Sequence, residues 1–251
     1  VEGNLLAAHL ACPPRLHRSA QPGLVIAHGF PAEAGGGINS TRSFPDLADR
    51  VAAEHGWAAL AYASRGVADS EGSFSLQGWL RDLQGAIAHL RESVETAGVW
   101  LIGFGTGGAL AIAAAAADSS IGGVAAVAAP ADFQDWAESP RKLLVVAREM
   151  GIVSDDGFPT SFKEWAGELS GLSAVASAER LAPRELMLLH GSNDEIVPLF
   201  DARAVADSHG SADLRVVHGA GHHLRHDPRA IAILLGWLDR QRLALLQSTA
   251  G

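Results

Sequence analysis

Six short apolar runs, at 24–27, 58–63, 99–102, 124–128, 185–189 and 214–217, recur along the chain with helical patterns between most of them. They do not alternate apolar with polar residues. A strand with one wet face alternates, whereas an unbroken apolar run needs both faces covered, as in a mostly parallel sheet flanked by helices. The covers are present. Segment 43–55 sets Phe44, Leu47, Val51 and Ala52 on one stripe, and 76–96 carries Trp79, Leu83, Ile87, Leu90 and Val94 at helical spacing. The closing helix is marked by Asp227 as a cap, Pro228 in the first turn, and Ile231, Leu234, Leu235 and Leu238 as its apolar face. Segment 131–182 breaks the rhythm with helical patterns around 136–150 and 161–169, and reads as a small cap inserted into one domain spanning 1–251.

Composition narrows the partners. The chain has 251 residues, 48% of them hydrophobic and 19% charged, which suits one α/β domain. A net charge of -9 and the absence of a Lys/Arg run exclude a phosphate-binding surface of the kind nucleic acids or anionic membranes require. No uninterrupted apolar run approaches the roughly 18 residues of a membrane span. Cys12 is the single cysteine, so no intramolecular disulfide can form. With no secretory-leader pattern at the N-terminus, the cytoplasm is the expected compartment. The expected partner is a small molecule or another protein, a second copy of the chain as a homodimer included.

Four loops, each directly after an expected strand, carry the chemistry-bearing residues. They are His28-Gly29-Phe30-Pro31, Gly103-Phe104-Gly105-Thr106-Gly107-Gly108, the stretch His190-Gly191-Ser192-Asn193-Asp194-Glu195, and His218-Gly219-Ala220-Gly221-His222-His223. Open α/β sheets bind their ligands at the carboxyl ends of the strands, where these loops fall. The stretch VWLIGFGTGGAL at 99–110 reads as a buried strand, a glycine-rich turn and an alanine-rich helix. That is the local frame of a G-x-S-x-G nucleophile turn, with glycine at its apex.

On these residues the chain resembles the α/β-hydrolase fold family, in particular bacterial esterases and the hydrolase domains of acyl-peptidases. The likeness runs from residue 24 to about 243. It extends to Ser64-Arg65-Gly66 and Asp69-Ser70-Glu71-Gly72, which are similar to an R-G-x-G-x-S-x-G stretch of the family. The resemblance implies a mostly parallel central sheet with helices on both faces, hydrolysis of a carboxylic ester or amide, and no cofactor. It implies Asp194 as the acid, His222 as the general base, and the backbone N–H groups of Phe30 and Thr106 as the oxyanion hole. Gly105 stands where the family has Ser, or less often Cys or Asp. Taking Thr106 as the apex instead would put Phe104 two residues before it, where the close strand–helix crossing favours a small side chain.

Glycine at the apex has two opposed consequences. It adopts the strained positive-φ conformation of such turns freely, a conformation that costs other residues about 1–3 kcal/mol. It also removes the covalent acyl intermediate. Loss of a triad serine costs roughly 10⁶ in kcat and leaves about 10³–10⁴ over water from the oxyanion hole and binding. Four readings follow: a natural nucleophile-less protein of the family that binds an ester- or amide-like ligand, a substituted inactive form of an active esterase, an enzyme using the Asp194–His222 pair as a general base without a covalent intermediate, or a non-catalytic binding module.

Blander roles compete at several positions. His28 can contact a ligand or simply orient the oxyanion loop, and Arg65 can hold a substrate carboxylate or sit in a surface salt bridge. Asp194 can be a plain turn aspartate, with Glu195 a weaker candidate beside it, and His223 is the alternative to His222. His222, His223 and His226 lack the companion residues of a metal motif, so no metal is expected. Gly35-Gly36-Gly37 is not followed by the lysine and hydroxyl of a phosphate loop, and the glycines at 103–108 make only a partial dinucleotide fingerprint. Trp136, Phe158, Phe162 and Trp165 can line an apolar pocket or pack the cap onto the sheet.

Overall fold

The computed structural model describes residues 1–14, 21–31 and 38–249. Seven strands form one sheet: β1 (Ala8–Ala11), β2 (Gln21–Ala27), β3 (Ala58–Tyr62), β4 (Thr96–Phe104), β5 (Ile121–Val127), β6 (Glu185–Gly191) and β7 (Asp213–Val217), in the order β1-β3-β2-β4-β5-β6-β7. Strands β2 to β7 are parallel to their neighbours, and only β1 runs antiparallel, on β3. Six strands match the six apolar runs. The seventh, β1, has the four-residue sequence AHLA and a half-exposed pattern, so it carries no comparable run.

Successive side chains of a strand point to opposite faces, and here both faces are dry. Val25, Leu60, Leu101, Val124 and Leu188 feed one core, while Leu24, Ile26, Trp100, Ile102 and Leu189 feed the other. The helices α2 (Leu76–Ser93) and α3 (Thr106–Ala117) cover the first face with Trp79, Leu83, Ile87, Leu90 and Leu110. On the second lie α1 (Ile38–His55), through Phe44, Leu47 and Val51, and the final helix, Pro228–Thr249, through Leu234, Leu235, Trp237 and Leu238. Each such side chain contributes about 1.5–3 kcal/mol by leaving water. Asp227 accepts the N–H of Arg229 at 2.8 Å, capping the final helix where the sequence places the cap. Helix α2 stops at Ser93 rather than continuing to 96, because Val94 turns extended and leads into β4, which starts at Thr96.

Between β5 and β6 come four short helices, α4 (Gln134–Glu138), α5 (Pro140–Glu149), α6 (Phe162–Glu168) and α7 (Ala174–Leu181). They are followed by α8 (Leu199–His209) after β6, which makes Pro228–Thr249 the ninth helix, α9. Trp165 is buried and donates its indole N–H to the Phe74 carbonyl at 3.0 Å, so it packs the inserted helices onto the body. Trp136 instead rests half-buried against Phe30, Phe74 and Phe133, with ring centroids 5.2, 6.0 and 5.0 Å away. Among the described residues no helix is long and apolar enough to cross a membrane.

Candidate active site

The centre of the sheet's carboxyl edge is the turn from β4 into α3. Gly105 is its apex, with φ 52° and ψ -125°. Its N–H is pinned to the Val127 carbonyl at 2.8 Å, and its carbonyl accepts the N–H of Gly108 at 2.9 Å. The flanking glycines are required by contact. A Cβ on Gly103 would run into the Gly107 carbonyl, and one on Gly107 into the His28 carbonyl. Gly29 also approaches the turn: a Cβ there would stand 2.8 Å from the Phe104 oxygen. The loop at 28–31 and the loop at 103–108 are thus locked together, which sets Phe30 and Thr106 on the two sides of this junction. Their backbone N–H groups take no acceptor among the described residues.

Asp194 and His222 come together from the ends of β6 and β7. The His222 Nδ1 lies 2.9 Å from Asp194 Oδ2. The Asp194 side chain is fully buried, and its other oxygen accepts the N–H groups of Ile196 and Val197, both at 2.9 Å. Two backbone donors and the His222 ring fix this carboxylate in one orientation. It can only accept, so the proton of the neutral His222 ring sits on Nδ1 and the Nε2 lone pair is left outward. That lone pair faces the apex. A Cβ placed on Gly105 would stand 3.7 Å from His222 Nε2 and 3.6 Å from Gly29 Cα, with nothing closer outside its chain neighbours. His223 contacts the His222 ring edge-on at 5.6 Å, and it is His222 that meets Asp194.

One participant opens the 190–195 stretch but has no role assigned to it by the sequence. His190 is buried at the end of β6, where its Nε2 donates to the Val197 carbonyl at 2.9 Å and lies 3.4 Å from Asp194 Oδ2. It steadies the loop that presents Asp194. As one more residue of a buried strand it looks like packing, and only its place four residues before Asp194 could have signalled it.

His28 has both ring nitrogens occupied. Nε2 accepts the Ser64 N–H at 2.9 Å, so Nδ1 carries the proton and donates it to the Gly29 carbonyl at 2.8 Å. Burial lowers the imidazole's pKa below its ordinary value, with Arg225 acting in the same direction and the Gly29 bond and Asp82 opposing. Arg65 is turned toward α2. Its Nε and Nη2 form a two-pronged ion pair with the fully buried Asp82 at 2.7–3.1 Å, and Nη2 also meets Glu2 at 3.0 Å. The surface salt bridge expected from sequence is therefore a buried one, because Asp82 is a buried residue of α2 that also accepts the Arg65 N–H at 2.8 Å. Gly35, Gly36 and Gly37 lie outside the described residues.

No protein-family model matches the chain, and no curated protein matches it in sequence. Solved structures match it closely in shape. Est1E from Butyrivibrio proteoclasticus, solved with ferulic acid bound, is similar at a TM-score of 0.75 and 16% identity, covering 98% of this chain and 97% of its own. The α/β hydrolase GrgF from Penicillium sp. sh18 gives 0.73 at 20% identity over 97% and 96% of the two chains. Proline iminopeptidase from Mycobacterium smegmatis gives 0.65 at 17% identity over 96% and 97%. Likeness of this extent at such identity establishes the fold: the chain has the α/β-hydrolase fold.

Proposed function

We propose that this protein is an esterase- or amidase-type α/β hydrolase with glycine in the nucleophile's place, which binds an ester- or amide-like small molecule and has little serine-hydrolase turnover. The observation that carries the reading is the room around Gly105. A serine Oγ lies about 1.4 Å beyond Cβ, so a side chain starting 3.7 Å from His222 Nε2 can bring its hydroxyl within the 2.7–3.2 Å of a hydrogen bond. In this reading the turn is a nucleophile elbow. The ligand's carbonyl oxygen points at the N–H groups of Phe30 and Thr106, His222 faces its carbon, and Asp194 orients His222. His28 holds the oxyanion loop through Ser64 and Gly29 rather than touching the ligand. The half-buried face of Trp136 beside Phe30 supports an apolar acyl group. Est1E was solved with ferulic acid, so a ferulate ester is a suitable first probe.

The outward Nε2 lone pair favours a second reading, in which His222 takes a proton from water and water attacks the carbonyl directly. A fluorophosphonate probe separates covalent from non-covalent chemistry. The protein as it stands should remain unlabelled, while Gly105→Ser should acquire one label that is lost on adding His222→Ala. Labelling of the unsubstituted protein in a His222-dependent way, or a folded Gly105→Ser that takes no label, would overturn the proposal.

A further inference from the structure

We infer that the position facing His222 Nε2 accepts a nucleophile from solution, and that the chain transfers an acyl group from an ester to a small alcohol without passing it through the protein. This rests on the ester-binding reading above. Three observations carry it. A Cβ at 105 would meet nothing closer than Gly29 Cα at 3.6 Å, so the apex accommodates a serine's Cβ in ordinary van der Waals contact and leaves that room unfilled when the residue is glycine. His222 Nε2 borders that space with its lone pair outward, because Asp194 engages the other ring nitrogen at 2.9 Å. The Phe30 and Thr106 N–H groups, which take no acceptor among the described residues, lie at the same junction.

The oxygen of an alcohol can take the hydrogen bond to Nε2 that a serine hydroxyl would take, at the non-bonded distance from Gly105 that brings it nearer the ligand. The alcohol oxygen then attacks the ester carbon and its proton passes to Nε2. The carbonyl electron pair moves to the oxygen held by the Phe30 and Thr106 N–H groups. On collapse the bond to the original alkoxide breaks, and that alkoxide leaves with the proton from Nε2. One ester and one alcohol become another ester and another alcohol, with no redox change and no bond to the protein. With Gly29 Cα and the His222 ring bordering the Cβ position of residue 105, small alcohols are the expected acceptors.

The test uses the full chain with p-nitrophenyl butyrate and methanol, reading p-nitrophenol by absorbance and methyl butyrate by gas chromatography. Methyl butyrate should form in proportion to methanol, at least tenfold faster than with His222→Asn and at least tenfold faster than with Gly105→Ala, whose methyl group crowds the acceptor position. 2-Propanol should give at least tenfold less ester than methanol. Should Gly105→Ala fail to fold, as read by circular dichroism, the partly exposed His222→Asn carries the test. Methyl ester formation that is undetectable, or unchanged in a folded variant, overturns the inference. Fluorophosphonate labelling of Gly105→Ser alongside shows whether the ester-binding reading fails with it or survives it.

Discussion

Two histidines adjoin the β4–α3 turn, each from a loop at the carboxyl end of a parallel strand, and they are built for opposite ends. His28 is buried with both nitrogens committed, one accepting from Ser64 and one donating to Gly29. His222 is one-fifth exposed and commits only Nδ1, to Asp194, so that Nε2 faces the apex. A ring bonded at both ends can hold a loop but cannot move a proton. One bonded at a single end is oriented and still free to act. Asp82 and Asp194 repeat the contrast, since Asp82 engages Arg65 along both of its oxygens while Asp194 holds a ring whose second nitrogen faces the apex.

The largest effect that would break this comparison belongs to Asp194. In a Gly105→Ser background, Asp194→Asn should lower kcat about 10⁴-fold by favouring the wrong His222 tautomer, with KM little changed in steady-state ester assays. A loss under tenfold would make Asp194 a structural residue like Asp82. Next comes Asp82→Asn, which leaves the Arg65 guanidinium poorly paired in a buried site and should cost about 3–5 kcal/mol in urea unfolding. A cost near zero would return Arg65 to the list of ligand-binding candidates.

His28→Asn should cost about 1–3 kcal/mol, from hydrogen-bonding groups left unmatched. It should also change the pH dependence of stability. Because the folded pKa of His28 lies below its ordinary 6.5, the unfolded chain takes up a proton that the folded chain refuses. The contribution of neutral His28 is therefore complete above about pH 6.5 and is lost as pH falls toward the folded pKa, at up to about 1.4 kcal/mol per pH unit. Thermal melts between pH 5 and 7.5, taken as rough limits around that value, should show a shallower slope in His28→Asn than in the parent. A comparable effect is expected at the apex, where Gly105→Ala should cost about 1–3 kcal/mol for holding a side chain at positive φ. At roughly 2–4 °C per kcal/mol, calorimetry should record a Tm lower by several degrees.

Much of this was legible before any coordinates. The parallel sheet follows from apolar runs that only a doubly covered strand tolerates, and the loops at 28–31, 103–108, 190–195 and 218–223 stand at strand ends because the runs before them do. What stayed hidden depends on pairing across the chain. β1 is too short and too exposed to show a pattern. Arg65 and Asp82 lie 17 residues apart on different elements, and the apolar stripe of α2 gives no hint that one of its polar residues turns inward. His190 is concealed by its own burial, since a polar residue inside an apolar strand is indistinguishable in sequence from one satisfied by chance.

In the proposed reading, a single hydroxymethyl group separates this site from a working serine esterase. The direct measurement is kcat for p-nitrophenyl butyrate in the parent protein, in Gly105→Ser and in Gly105→Ser with His222→Ala. Turnover should rise by several powers of ten in Gly105→Ser, approaching the roughly 10⁶ that a triad serine is worth, and fall back in the double variant. A Gly105→Ser protein that folds, melts within a few degrees of the parent and hydrolyses no faster would contradict that reading.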